Sequence, residues 1–291
     1  MNGSAQRRLR IAGQAAIELL AMDKDAEVWL EGALATGLAH AASDIDLRLI
    51  SSSPQRPGPR SRLVDGVRVD LQVSTPQEIG ELRTLLLQFG IRQDDLAMFR
   101  RARQRMGDLT CLRTALSFHH GQWVPVVSAA ETGTYRAWAV ADRAETVASL
   151  AEDLIGLSAD GLHPSADIVL QRLTLALTSA ECAATGHPLL GEKWLPLLTG
   201  DPWTVTPAPV DWQDQDWRWF RSLQRRLALA LLSCHPLSDS GHESPAPPVE
   251  GAAWLPQYYS DGWFLRRADE RIPVTDDALN AWINQLQSSS R

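Results

Sequence analysis

Cysteine is scarce in this sequence: Cys111, Cys182 and Cys234 are odd in number and far apart, which excludes a disulfide framework and a thiolate zinc site. A reducing, cytoplasmic setting is the expectation. Lysine is scarcer still, with Lys24 and Lys193 the two among 28 basic residues. Against 35 acidic side chains these leave a formal charge of -7, so the chain lacks the positive field that draws a protein onto nucleic acid or an anionic membrane. Nucleic acid is therefore not an expected partner. No apolar run approaches the roughly 20 residues of a membrane span. The stretch behind Arg7, Arg8 and Arg10 is interrupted by Gln14 and Glu18, unlike a signal peptide. Neither membrane insertion nor secretion is expected. What is present is ordinary globular material, 291 residues with 44% hydrophobic and 22% charged, enough for about two domains.

Leu9, Ala12, Ala16, Leu19 and Leu20 recur at helical spacing and predict a first helix over 7–22, closed by Asp23 to Asp25. Strands are expected at 27–30 and 45–50, separated by small residues from Gly32 to Ser43, and again at 66–73, where Val67, Val69, Leu71 and Val73 alternate with Arg68, Asp70 and Gln72. The segment 51–62, rich in Ser, Pro and Arg, reads as a loop. Thr75, Pro76 and Glu78 mark a helix start, and helices are expected at 76–89, 92–106, 108–119, 135–158, 165–185, 189–198 and 214–234. Gly, Pro, Ser and Thr cluster over 121–134 and suggest a domain boundary. The expected fold class is α+β: a domain at 1–122 with a short mixed β-sheet flanked by helices, then an all-α helical bundle at 123–235. A linker at 236–251 and a tail at 252–291 that packs on the helical domain complete the expectation.

Asp44 and Asp46 stand at i and i+2 at the head of a strand, which places both carboxylates on one face, about 6 to 7 Å apart at the backbone. Asp70 supplies a third acid from another strand. Such a group is costly unless a cation compensates it, and oxygen ligands without His or Cys favour magnesium or manganese. Divalent cations of that kind point to phosphoryl chemistry.

Gly32-Ala33, a nine-residue spacer, Ser43-Asp44-Ile45-Asp46-Leu47 and then Val69-Asp70-Leu71 resemble the signature of the DNA polymerase beta-type nucleotidyltransferase superfamily. They are similar in particular to its small bacterial antibiotic and toxin-antitoxin members with a helical C-terminal domain. The resemblance covers residues 26–75. It implies that Asp44 and Asp46 bind two metal ions, that Asp70 binds the catalytic one and helps deprotonate the acceptor, and that Gly32 lets the backbone approach a triphosphate. Ala33 and Ser43 would flank the nucleotide. By analogy with helical-tailed members, Lys193 beside Trp194 would touch its phosphates. The implied co-substrate is a nucleoside triphosphate, taken as ATP, and the implied acceptor is a hydroxyl of an aminoglycoside-like or other small molecule, with a protein side chain or an RNA end as alternatives. A homodimer is compatible with the sequence.

The family usually has Gly-Ser where this chain has Gly32-Ala33. One lost hydrogen bond to a charged phosphate costs roughly 1.5 to 3 kcal/mol, which weakens nucleotide binding without removing the metal ligands. That departure keeps a second class of function open, a nucleotide-binding or regulatory module such as an antitoxin. The run Arg100, Arg101, Arg103 and Arg105 reads as a solvated helix face, and Trp212, Trp217, Trp219 and Phe220 read as packing. A cationic acceptor would draw on Glu145, Glu152, Asp153 or Glu181.

Overall fold

The computed structural model describes residues 3–53, 58, 60–208, 210–212, 218–238, 253–268 and 270–288. In chain order the elements are α1 (Gly3–Met22), β1 (Glu27–Glu31), α2 (Gly32–Ala35), β2 (Ile45–Ile50), β3 (Arg60–Val64), β4 (Val67–Ser74), α3 (Pro76–Leu87), α4 (Ala97–Gln104) and α5 (Met106–Thr114). They continue with β5 (Leu116–His119), β6 (Gln122–Pro125), α6 (Ala129–Ala159), α7 (His163–Ala184), α8 (Leu195–Thr199), α9 (Arg218–Leu232), β7 (Leu255–Tyr259), β8 (Gly262–Arg267), β9 (Glu270–Val274) and α10 (Asp276–Ser288). Two compact units result, one from Met1–Phe89 with Gln104–Tyr135, the other from Gly90–Arg103 with Arg136–Arg291.

The first unit is built on a six-stranded mixed sheet in the order β3-β4-β2-β1-β5-β6. Only β2 and β4 run parallel; every other neighbouring pair is antiparallel. The period-two pattern sorts its residues. Val28, Leu30, Ile45, Leu47, Leu49, Val67, Val69 and Leu71 are buried in one core with Ile11, Ala12, Ala15, Ala16 and Leu19 of α1. Three alanines on that stripe let the helix lie close to the sheet, and each large aliphatic buried there contributes about 1.5 to 3 kcal/mol. The alternate face therefore receives the polar members, Glu31, Asp46, Arg48, Asp70 and Gln72. After β4 the expected helix start forms: Thr75 Oγ1 accepts from the Glu78 N–H at 3.1 Å and the Glu78 carboxylate accepts from the Thr75 N–H at 2.7 Å.

Several expected elements differ. The segment read as a loop through residue 62 ends in β3, which forms a hairpin with β4 about Asp65-Gly66, both at positive φ (50° and 72°). The helix expected over 108–119 stops at Thr114, and residues 116–119 join 122–125 in a second hairpin about His120-Gly121, at φ 48° and 83°. There Phe118 and Trp123 pack with ring centroids 4.8 Å apart, and β5 pairs with β1. Helix 92–106 is shortened to 97–104, because the Asp95 carboxylate accepts the Ala97 N–H at 2.8 Å and starts the helix there. Helix 189–198 becomes a 3-10 turn, Glu192–Trp194, followed by α8.

The second unit is mainly helical, with Trp138, Val147, Leu154, Leu173, Leu177, Phe220 and Leu227 buried. To the helical domain expected from sequence the chain adds a three-stranded antiparallel sheet, β7-β8-β9, followed by α10. β7 and α10 both contact α9. Tyr259, Trp263, Phe264 and Trp282 are buried here, which explains the aromatic content of the tail. From residue 239 onward the expected linker lies outside the described residues, as does Trp217. No helix among the described residues is long and apolar enough to cross a membrane.

Candidate active site

The candidate site forms where β1, β2 and β4 lie side by side. Register sets Glu31 opposite Asp46, and Asp46 opposite Asp70, so three acids on three strands share one row. Asp44 immediately precedes β2 and enters through a loop held from beneath: the buried Arg8 donates through Nε to the Ser43 carbonyl at 2.7 Å and through a terminal nitrogen to the Ala41 carbonyl. Asp44, Asp46 and Asp70 each present a carboxylate oxygen, and these lie within 4.8 Å of one another. The three aspartates singled out in the sequence are thus brought together.

Gly32 closes one side. Its φ is +70°, and a Cβ placed on it would meet Asp46 Oδ2 at 2.6 Å, so only glycine leaves the carboxylate room. Its N–H donates to Thr114 Oγ1 at 3.2 Å, which ties the start of α2 to α5. Ala33 follows as the second residue of α2 and carries no hydroxyl. Ser43 is buried, and its Oγ accepts the His40 N–H at 2.9 Å, clasping the loop before Asp44. Lys193 belongs to the second unit, where its Nζ lies 5.1 Å from the Trp194 ring centroid.

Charge is distributed unevenly over the triad. Burial pushes the Asp46 carboxyl up from 3.8 to about 6, and the neighbouring Asp44, Asp70 and Glu31 push it the same way, with Arg68 opposing. Asp70 is held below the ordinary carboxylate range, first by hydrogen bonds from Arg68 and then by Ser61. Arg68, two residues earlier on the same strand, grips Asp70 with both prongs, Nε to Oδ1 at 2.9 Å and its terminal nitrogen to Oδ2 at 2.8 Å. Among the described residues Asp46 has no such partner of opposite charge. Farther along the face, Glu31 is paired bidentately with Arg48 at 2.6 and 3.1 Å, and Arg48 also donates to Ser74 and Gln72. Burial and Glu31 together push the Cys111 thiol up to about 12, which leaves it inert as a nucleophile.

These residues fit a divalent cation. The donors are all hard oxygens, one carboxylate is raised by burial and by the acids around it, and a glycine keeps the space before it open. Magnesium and manganese match that donor set better than zinc or copper.

Sequence reasoning missed four supporting side chains. Arg8, Arg48, Arg68 and Thr114 act through partners 35, 17, 2 and 82 positions away, and only the Arg68-Asp70 spacing left a trace in the strand alternation. In the second unit, Glu145 and Glu152 both pair with Arg266 (3.3 and 2.8 Å), and Glu181 pairs with Arg226 at 2.6 Å. These three acids already have counter-charges, which leaves them ill suited to recruit a cationic acceptor.

No protein-family profile matches the chain, and no curated protein matches it. Among solved structures, a nucleotidyltransferase-like protein from Exiguobacterium sibiricum is similar over 78% of this chain and 73% of that one, at 15% identity and a TM-score of 0.32. At that distance the likeness carries no argument about chemistry, which rests on the residues described above.

Proposed function

We propose that this protein is a metal-dependent nucleotidyltransferase, moving a nucleoside monophosphate from a nucleoside triphosphate, taken as ATP, to a hydroxyl of a small molecule with release of pyrophosphate. The observation that carries the reading is the convergence of Asp44, Asp46 and Asp70 within 4.8 Å, beside a glycine whose replacement would collide with Asp46. With magnesium or manganese bound by those three carboxylates, the ion would neutralise charge on the triphosphate and lower the pKa of the attacking hydroxyl.

The chain's own residues do the rest. Asp44 and Asp46 would hold the cation that receives the triphosphate end, and Gly32 lets the backbone come close to it. Asp70 is the group proposed to take the acceptor's proton, and for that Arg68 must release it, since a carboxylate gripped on both oxygens has little basicity left. Ala33 supplies no hydroxyl to a phosphate, so Ser43 is the further side chain assigned to nucleotide contact. The pairing of Glu145, Glu152 and Glu181 with arginines favours an acceptor other than a polycation held by those acids.

A second reading, a nucleotide-binding or regulatory module with little turnover, is favoured by two observations: Arg68 already neutralises Asp70, and Ala33 replaces a hydroxyl. The discriminating experiment is pyrophosphate release from each of the four ribonucleoside triphosphates with magnesium or manganese and a panel of hydroxylated acceptors, beside the Asp44→Asn, Asp46→Asn double variant. Release by the wild type alone supports the enzyme. Nucleotide binding without release supports the module, and release by both proteins overturns the site assignment.

A further inference from the structure

We infer that the second unit holds a binding site for a small aromatic carboxylate, in the cleft walled by Phe99, Ala144, Leu231 and Tyr258 with Arg100 and Arg271 at its exposed edge. The cleft lies wholly within that unit and has a volume of about 170 Å³. An apolar cavity of about 150 Å³ takes a benzene molecule, so this one suits a single ring carrying a short arm. Two aromatic walls are fixed in advance. Phe99 stacks on Trp138 with an interplanar angle of 7°, and Tyr258 stacks on His235 at 3.8 Å. Walls already held in place lose little entropy when a ring enters between them.

The charges at the rim decide the sign of the ligand. Four ionised side chains line the cleft: Arg100, Arg103, Arg271 and Glu145. Arg103 is committed to Asp142 at 2.9 Å, and Glu145 to Arg266 and to the amide of Gln257. Gln257 in turn accepts from the buried Tyr259 hydroxyl at 2.7 Å, so the polar floor is closed on itself and asks nothing of a ligand. Arg100 and Arg271 are left, both exposed and without a hydrogen-bond or ion-pair partner among the described residues. On a chain of formal charge -7, two guanidinium groups without an ion pair among the described residues stand beside one apolar slot, although Asp94 and Asp261 line an adjoining cleft with Arg271. A cationic ligand would meet them uncompensated. A neutral one gains only the ring contacts, whereas a carboxylate gains the planar donor pairs that guanidinium offers.

The test is a ligand-detected NMR titration of the full-length protein at low ionic strength with three molecules of one shape: 3-phenylpropionate, 3-phenylpropanamide and 3-phenylpropylamine. The acid is expected to bind at least about tenfold more tightly than the amide, with the amine weakest. Arg100→Gln and Arg271→Gln each weaken the acid about tenfold and leave the amide within about twofold. Arg101→Gln is the control, an exposed neighbour on the same helix that does not line the cleft, and it leaves acid binding unchanged. Absence of saturable acid binding overturns the inference. So does equal binding of acid and amide, or a loss in Arg101→Gln as large as in Arg100→Gln, which would mean diffuse charge rather than a built site.

Discussion

Replacing Asp46 with asparagine should stabilise the metal-free protein and destabilise it, relative to wild type, once magnesium is added. Asp46 is the carboxyl raised from 3.8 to about 6, by burial first and then by Asp44, Asp70 and Glu31. An elevation of that size corresponds to about 3 kcal/mol between the protonated and ionised forms, and since the group is only half-buried, solvent screening reduces this to about 1 to 2 kcal/mol. The folded state holds that proton more tightly than the unfolded chain does. Its contribution is therefore fully present below pH 3.8 and is lost as the pH rises through about 6. Asparagine escapes the loss. In urea denaturation without divalent ions, the stability of Asp46→Asn should overtake wild type between about pH 4 and 6 and then keep a constant lead above about pH 7. With magnesium at 100 times its dissociation constant, wild type gains about 2.7 kcal/mol and the variant almost nothing, so the order reverses. A variant that is less stable at every pH without metal, or an equal magnesium effect on both proteins, would refute the reasoning.

Three further outcomes follow from the same geometry. Gly32→Ala should fold but bind manganese about tenfold more weakly, because a residue at φ +70° costs about 1 to 2 kcal/mol and its Cβ drives the Asp46 carboxylate away; unchanged affinity in a manganese titration would contradict this. Arg48→Met strands the buried Glu31 carboxylate and should cost about 3 kcal/mol in urea denaturation, most of it recovered by adding Glu31→Gln; full stability of the single variant would count against the pairing. Arg68→Gln frees Asp70 from its cationic partner and should tighten magnesium binding about threefold or more; weaker binding would show that Arg68 helps to organise the site rather than competing for it.

The parts of the fold legible in the sequence were those set by strong local periodicity. The stripe of α1, the alternation through Val67 to Val73 and the capping box at Thr75 each state their structure within a dozen residues. The two hairpins escaped for opposite reasons. Asp65-Gly66 is a turn signal that the Ser, Pro and Arg content before it obscured, whereas the strand 116–119 is too short for its alternation to outweigh the helical pattern running into it. The tail shows its aromatic content in sequence but not its pairing, since a sheet of three short strands is fixed by cross-strand contacts. At the site, Asp44 and Asp46 were found because i, i+2 spacing at the head of a strand is itself geometric information, and Asp70 because the alternation of its own strand and the three-part motif resemblance single it out. Arg8 and Thr114 were not, because each reaches its partner through the tertiary fold.

The measurement that bears most directly on the central claim is anomalous scattering from a crystal of the protein grown or soaked with manganese at neutral pH. Density for the ion is expected between the carboxylates of Asp44, Asp46 and Asp70, with Arg68 withdrawn from Asp70. Manganese elsewhere on the molecule, with Arg68 still paired to Asp70 and the trio vacant, would contradict the claim.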